Sequence, residues 1–299
     1  MRNDTPKRWR LSWVTLVIAL LAFFGMLIAS YPTVASWLSQ YAQSKVVENY
    51  QNQVDNTYPD AVTQLRQAHE YNDALSVGAL LEADTNKPTG SGTSSDETLD
   101  YDQILRADAN GLMARLKIPA IDVDLPVLHG TSDETLLRNA GHLRGTSLPV
   151  GGENTHAVIT AHRGLADARL FTDLDKVQVG DRFVLEVFGE VLTYEVRETK
   201  IVEPSQTESL RMEPGEDLVT LVTCTPLGIN THRILVTGVR VTPTPIEDVE
   251  NAGAAPEVPH FPWWAVWLPA GTLLIGAYAW YSGFPPGFWA ERRQRRNNA

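Results

Sequence analysis

Two long apolar segments without a charged residue, one near each end of the chain, most constrain how it can fold. Residues 11–31 and 263–284 are each long enough, at about 20 residues, to cross the roughly 30 Å hydrocarbon core of a bilayer as a helix. Basic residues in 1–10 precede the first segment, and basic residues in 285–299 follow the second. Because basic flanks stay inside the cell, we predict a two-pass protein of the cell membrane with both termini cytoplasmic.

Each segment has an alternative interpretation. The first could be a cleaved signal peptide with Val34, Ala35 and Ser36 as the cleavage site, but its apolar run exceeds the ~7–15 residues typical of such peptides. The second could be a buried core helix or the tail of a cell-wall anchoring signal, since Leu268-Pro-Ala-Gly-Thr272 looks like a scrambled anchoring motif. That pentapeptide lies inside the apolar run, which favours a membrane helix.

The chain between the two ends is strongly acidic. Of the 25 basic and 36 acidic residues, segments 1–10 and 291–299 together hold eight and two, which leaves 17 basic and 34 acidic residues between them. This charge argues against a nucleic-acid partner and suits basic protein partners. A single cysteine excludes an intrachain disulfide, so we expect the domain to be stabilised by core burial.

Four regions can be distinguished between the predicted spans. Apolar residues at helical spacing indicate helices in 32–82. Residues 83–100 are polar and rich in Gly, Ser and Thr, which predicts either a linker or a mobile flap. Residues 101–241 form the main folded domain, and residues 242–262, with five prolines, are predicted to be an extended stalk.

The main domain has the pattern of a β protein. Seven short runs with strand character are separated by turns: 112–118, 123–127, 157–161, 183–188, 192–202, 217–223 and 233–241. An eighth strand is expected near 140–143, and short helices fit between some of the strands. Many short strands with few long helices predict a closed or nearly closed barrel.

Cys224 is the candidate nucleophile. It ends an alternating strand and stands two residues before Pro226, which cannot continue a central strand. If the next strand begins near Arg233, the loop between them brings the guanidinium close to the thiol. A neighbouring cation lowers the pKa of a thiol, and arginine can also stabilise an oxyanion. A buried structural cysteine and a surface arginine are the alternatives.

A thiol nucleophile needs a partner that removes its proton and returns it to a leaving group, which histidine does near neutral pH. His162 ends the apolar strand 157–161 and so lies at a strand end, like Cys224. His232 is the rival, but it precedes Arg233, and adjacent strand residues point to opposite faces. The histidines lack the spacing of zinc ligands, so we expect no metal site.

Four segments resemble the sortases, and within that family the class C, pilus-assembling group. They are GHLRGTSLPVGGENTHAVITAHRG (141–164), LFTDL (170–174), TLVTC (220–224) and NTHR (230–233). The resemblance covers about residues 111–241. It implies a mainly β, closed sortase-type barrel of about eight strands, with an N-terminal helical hairpin and flanked by two transmembrane helices.

The resemblance also implies a reaction. Cys224 would attack a Leu-Pro-x-Thr-Gly-like sorting signal of a pilin or surface protein between Thr and Gly, His162 would protonate the leaving amine, and Arg233 would steady the oxyanion. A lysine of another pilin would then resolve the thioester as an isopeptide bond, without a cofactor.

Class C sortases tend to carry a lid before the barrel, closed by an Asp-Pro-aromatic motif. In residues 81–88 (LEADTNKP), Asp84 is present, but the adjacent proline and the aromatic residue are not. Asp84 is therefore the candidate lid anchor, and 83–100 is either a lid or a plain linker.

Two other functions stay open at this point. A membrane-tethered cysteine peptidase would use the same nucleophile and pass the acyl group mainly to water. A non-enzymatic surface adhesin would need an anchoring pentapeptide before its C-terminal apolar run, and the stretch before Trp263 has none.

Overall fold

The structure is a computed structural model that describes residues 9–76, 79–80, 89–90, 93–94, 99–166, 168–226, 229–256, 259–285 and 288. The α-helices are α1 (Trp13–Asp55), α2 (Ala61–Asp73), α3 (Asp133–Leu136), α4 (Ile246–Glu250) and α5 (Trp264–Ser282). The chain divides into two compact units: residues 36–259 form one, and the residues before 36 and after 259 form the other.

The apolar segments are helical, the first within α1 and the second as α5. Large apolar side chains of both helices are exposed, including Ile28 at 75% and Leu273 at 74%. By length and hydropathy, α1 is the one described helix that qualifies as a candidate membrane span, and a signal sequence near an N-terminus passes the same test. Hydropathy therefore does not support the predicted second span, because aromatic residues, glycines and Pro269 dilute the aliphatic residues of α5.

Helices α1 and α5 pack together within the terminal unit. A Cβ atom at Gly271 would lie 2.5 Å from the sulfur of Met26, so the close approach depends on glycine. Trp9 Nε1 donates a hydrogen bond to the carbonyl of Trp280 at 2.9 Å. The start of α1 therefore lies beside the end of α5.

The predicted helical region 32–82 contains the second half of α1, which continues through Pro32, and all of α2. Buried hydrogen bonds attach α1 to strand β1 and α2 to the loop between β3 and β4. Tyr50 of α1 donates to the carbonyl of Met113 at 3.0 Å. Asn72 of α2 donates to the carbonyl of Leu148 at 3.0 Å and accepts from its amide at 2.7 Å.

Two short antiparallel pairings follow α2. Residues 75–76 pair with 93–94, and residues 79–80 pair with 89–90. The segment 83–100, predicted as a linker or a lid, therefore contains paired backbone. Asp84 lies outside the described residues, so its role as a lid anchor stays a prediction.

The larger unit is built around a closed barrel of eight strands. Along the chain they are β1 (Leu112–Ile118), β2 (Val123–His129), β3 (Ala140–His142), β4 (Thr155–Thr160), β5 (Arg182–Val187), β6 (Glu190–Val202), β7 (Asp217–Thr225) and β8 (His232–Arg240). Around the barrel the order is β6-β8-β7-β4-β3-β2-β1-β5, and β5 pairs with β6. The predicted mainly β, closed barrel of about eight strands is confirmed, including the strand expected near 140–143.

Strand β4 determines where the functional residues meet. It pairs in parallel with β7 and antiparallel with β3, and all of its residues are buried. Burial on both faces explains why its sequence, THAVIT, is not strictly alternating. Because parallel strands end at the same edge of a sheet, the residues that follow β4 lie beside the end of β7.

Residues 242–256, which we call the post-barrel strap, contact the barrel, and the prediction of an extended stalk was wrong for them. The strap contains α4, and two basic side chains of β1 hold its backbone. Arg115 Nη1 donates to the carbonyl of Ala254 at 2.8 Å, and Lys117 Nζ donates to the carbonyl of Asn251 at 3.1 Å. Both side chains alternate with the core residues of β1, so the strap follows the outer face of the barrel.

Candidate active site

Cys224 and Arg233 lie directly opposite each other on adjacent strands. Cys224 is the last residue but one of β7, and Arg233 is the second residue of β8. The antiparallel register between these strands makes them cross-strand partners. Such partners present their side chains on the same face of the sheet, with Cβ atoms about 4.5–5.5 Å apart. The structure thus brings the thiol and the guanidinium together, as the sequence predicted.

Arg233 is fully buried, with a relative exposure of 0%. Its Nη1 atom donates hydrogen bonds to the carbonyls of Asn230 at 2.8 Å and His232 at 3.1 Å. These carbonyls fix one edge of the guanidinium at the start of β8. An arginine keeps its charge when buried, so Arg233 supplies a permanent positive charge beside Cys224.

His162 follows the end of β4, on the strand next to β7. The parallel register pairs Thr160 with Val222. The two strands remain joined just beyond it, since Ala161 N donates to the carbonyl of Val222 at 3.2 Å. His162 lies two residues after Thr160 in the chain, and Cys224 lies two residues after Val222, so both follow the last register pair at the same edge of the sheet. Arg233 lies on the other side of Cys224, on β8.

The thiol of Cys224 is buried, with 6% of the residue exposed. Burial raises the pKa of the Cys224 thiol above its ordinary value, and the charge of Arg233 opposes this rise without cancelling it. Arg233 lowers the thiol pKa, as expected, but burial outweighs this effect, because a position at the strand end does not leave the sulfur in water. At neutral pH the thiol keeps its proton and needs a base.

The two buried histidines of the barrel are structural. His142 and His156 are buried, and each uses both ring nitrogens in hydrogen bonds. Burial lowers the pKa of both, that of His142 to about 3, so they remain neutral. His232, the rival named from the sequence, contacts the hydroxyl of Thr231 at 2.9 Å. Its register partner is Thr225 rather than Cys224.

No sequence pattern singled out Arg163, which directly follows His162. Its guanidinium donates to the hydroxyl of Thr225, the residue after Cys224, at 3.1 Å. It also forms an ion pair with Asp175 at 2.6 Å. The position next to His162 is the one signal that could have drawn attention to it. Within the described part of the chain, no group of three or more His, Cys, Asp or Glu residues could hold a metal ion.

Comparison with known proteins identifies the barrel. A model of the sortase domain matches residues 116–241. Sortase D of Bacillus subtilis is 31% identical over 131 residues, which make up 42% of this chain and 63% of that relative, so less than two thirds of its length is matched.

Solved structures give broader matches. The crystal structure of sortase C-1 from Actinomyces oris is 44% identical, with a TM-score of 0.53, and the match covers 60% of this chain and 98% of that one. Sortase C of Streptococcus pneumoniae is 39% identical, with a TM-score of 0.57, and the match covers 66% of this chain and 96% of that one.

The closed barrel and these matches define a protein with a sortase domain. More specifically, the chain belongs to the sortase family, and both of these structural neighbours are class C sortases.

Proposed function

We propose that this sortase cleaves a Leu-Pro-x-Thr-Gly-like sorting signal between Thr and Gly and joins the threonine carbonyl to a lysine of a pilin subunit. Residues 101–241 are the catalytic domain in this proposal, and Cys224, His162 and Arg233 are the catalytic residues. The observation that carries it is the arrangement at the barrel edge, where Cys224 lies opposite Arg233 and beside the end of β4.

In the first half-reaction, Cys224 attacks the threonine carbonyl while His162 removes the thiol proton. Arg233 donates hydrogen bonds to the oxyanion of the tetrahedral intermediate. When the carbon–nitrogen bond breaks, His162 gives the proton to the departing glycine amine, and a thioester on Cys224 remains. A protonated thiol in the resting protein suits this sequence, because the proton that His162 removes is the one that the amine needs.

In the second half-reaction, a neutral lysine amine of an acceptor pilin attacks the thioester. His162 takes the excess proton from this amine and returns it to the thiolate of Cys224. The product is an isopeptide bond, and the enzyme is regenerated without a cofactor. Support for pilins as substrates comes from the Streptococcus pneumoniae neighbour, whose structure is described as informing on pilin substrate specificity.

The experiment that tests this proposal uses the full-length protein in detergent, a Leu-Pro-Glu-Thr-Gly peptide and a recombinant pilin with exposed lysines. Intact-mass spectrometry should detect the acyl group on Cys224 and then a pilin–peptide product with a lysine linkage. The Cys224→Ala variant is the control and should form neither species. Only free threonine acid would indicate the membrane-tethered peptidase instead, and no acyl-enzyme at all would contradict both activities.

We further propose that both apolar helices span the membrane, with residues 1–10 and the basic tail 285–299 in the cytoplasm and the barrel outside the cell. The packing of α5 on α1 supports this topology. Close approach through a glycine, as between Gly271 and Met26, is common between membrane helices. The hydrogen bond between Trp9 and Trp280 joins the two helix ends that this topology assigns to the cytoplasmic side.

A further inference from the structure

We propose that Arg163 is a positioning residue, which holds His162 in register with Cys224 during both proton transfers. This inference rests on the proposed roles of His162 and Cys224. It assigns a function to the residue that directly follows the histidine in the chain and contacts the residue that directly follows the cysteine. Arg163 thereby connects the C-terminal ends of β4 and β7, the two strands that carry His162 and Cys224 at their ends.

The contacts of Arg163 use different edges of its guanidinium. Nη1 donates to the hydroxyl of Thr225 at 3.1 Å, and Nε donates to the carbonyl of Thr172 at 3.0 Å. Nη2 forms an ion pair with Asp175 at 2.6 Å. The side chain of Arg163 is only 10% exposed, so its hydrogen bonds to Thr225 and Thr172 are shielded from water, whereas Asp175 is 47% exposed and the ion pair is partly solvated.

The backbone around His162 is restrained by the same loop. Phe171 N donates to the carbonyl of His162 at 3.1 Å, and Gly164 N donates to the hydroxyl of Thr172 at 3.2 Å. Thr172 therefore accepts hydrogen bonds both from the side chain of Arg163 and from the backbone amide of Gly164. With Thr225 at the other end, the guanidinium links this loop directly to β7, which carries Cys224.

Arg163 acts by fixing the position of His162 rather than by changing the pKa of the Cys224 thiol through its charge. Burial and the charge of Arg233 are what shift the pKa of the Cys224 thiol, and Arg163 is not among the causes. A lysine at position 163 could keep the ion pair with Asp175, but a single ammonium cannot reproduce a planar fork that reaches three partners in different directions. Misplacing a catalytic group by about 1 Å can cost about 100-fold in rate.

The test compares two substrates that differ in their need for His162. In a peptide amide, the leaving amine must be protonated. In a thioester of the same peptide, the leaving thiolate departs without a proton, so only the deprotonation of Cys224 still depends on His162. Acylation rates are measured by intact-mass spectrometry with full-length wild type and the variants Arg163→Gln, Arg163→Lys and Arg169→Gln.

We expect Arg163→Gln to acylate about 100-fold more slowly with the amide and less than about tenfold more slowly with the thioester. Arg163→Lys should be intermediate. Arg169→Gln is the matched control, because Arg169 also pairs with an aspartate of this loop, at 3.2 Å, but its side chain is 45% exposed. It should acylate like wild type with both substrates.

A second variant removes the hydroxyl group that accepts the hydrogen bond from Arg163. Thr225→Val keeps the shape of the side chain and deletes the hydroxyl, and it should reproduce part of the loss. In the double variant with Arg163→Gln, the two losses should not add, since both remove the same interaction. Thermal unfolding of each variant separates this effect from loss of the fold.

Equal losses with the amide and the thioester, or no loss with the amide in a folded Arg163→Gln protein, would overturn the role of Arg163. Failure of the proposed function gives a different result, because wild type itself would then form no acyl-enzyme with either substrate.

Discussion

Two opposing effects act on the thiol of Cys224. Burial raises its pKa, and the charge of Arg233 on the facing strand lowers it, with burial the larger effect. Oxidation and alkylation of cysteine proceed through the thiolate. The resting protein should therefore be slow to lose its one cysteine to oxidation.

The thiol pKa leads to a test without any substrate. The pH midpoint for alkylation of Cys224 by iodoacetamide should lie above that of a free cysteine, about 8.5. Arg233→Gln should raise this midpoint further, because the positive charge that favours the thiolate is lost. Arg163→Gln is the control and should leave it unchanged.

Labelling is unambiguous, because the chain contains no second cysteine. A midpoint at or below that of free cysteine would mean that the sulfur is better solvated, or more strongly influenced by Arg233, than its buried position implies.

Substitution of Arg233 tests whether its shape matters as well as its charge. We expect Arg233→Lys to lower kcat/KM for peptide cleavage by about 100-fold, since an ammonium replaces a guanidinium that offers several donors to the oxyanion. The exposed Arg182, which pairs with Glu195, provides a matched control: Arg182→Lys should cleave the peptide at the wild-type rate. Retention of full activity in Arg233→Lys would contradict the assigned role.

The three candidate residues could be found from the sequence because each stands at the end or start of an apolar strand. The spatial relation of Cys224 and Arg233 then follows from local pairing, because the two residues belong to one hairpin. The raised thiol pKa could not be predicted, because it depends on packing around the sulfur. Arg163 was missed because the hydroxyl that it contacts lies 62 residues away in the chain.

Strand β1 and the post-barrel strap are joined by a buried group of charges. Arg115 contacts Asp124 at 2.6 Å and Glu186 at 3.4 Å, and Lys117 contacts Glu186 at 2.5 Å. Glu186 also accepts from the amide of Gly253 at 3.2 Å. The strap therefore completes a network whose other members belong to the barrel wall.

Removing the central cation of this network should be costly. Arg115→Ala leaves Glu186 with one cation fewer in a buried position, and we expect the free energy of unfolding to fall by about 3–5 kcal/mol. Arg182→Ala removes an exposed ion pair and should change it by less than about 1 kcal/mol. Urea unfolding of both variants measures the difference, and equal effects would show that burial of the Arg115 network adds nothing.

The sequence of the strap explains why it was predicted as a stalk. Prolines and acidic residues without an apolar period are typical of extended linkers. The side chains that hold it, on β1 and β5, are more than 60 residues away in the chain, with Glu186 67 residues before Gly253. Contacts of a backbone with distant buried ions leave no periodic pattern, so sequence alone does not reveal them.

At the scale of the whole chain, the positions of the strands were easier to predict than which strands pair with each other. Alternation and turn residues located seven strands to within about two residues, whereas the parallel pairing of β4 with β7 requires a crossover that periodicity does not encode. The continuity of α1 was also missed. A span ending at residue 31 was expected, but the helix continues through Pro32 to Asp55.

The two-pass topology can be tested in cells whose wall has been removed. Epitopes fused to the N- and C-termini should be protected from added protease, and an epitope inserted at the exposed Ser205 should be digested. The protection should be lost after detergent treatment. Digestion of the C-terminal epitope in intact cells would contradict a second span.

The post-barrel strap also matters for anyone who produces this enzyme without its apolar helices. The match to the sortase domain ends at residue 241, which makes that position an obvious place to stop the recombinant chain. A protein that stops there would deprive Arg115 and Lys117 of the carbonyl oxygens of Ala254 and Asn251. Extending the expressed fragment through Pro256 keeps those acceptors, and it is the boundary to choose for crystallisation and for kinetic work.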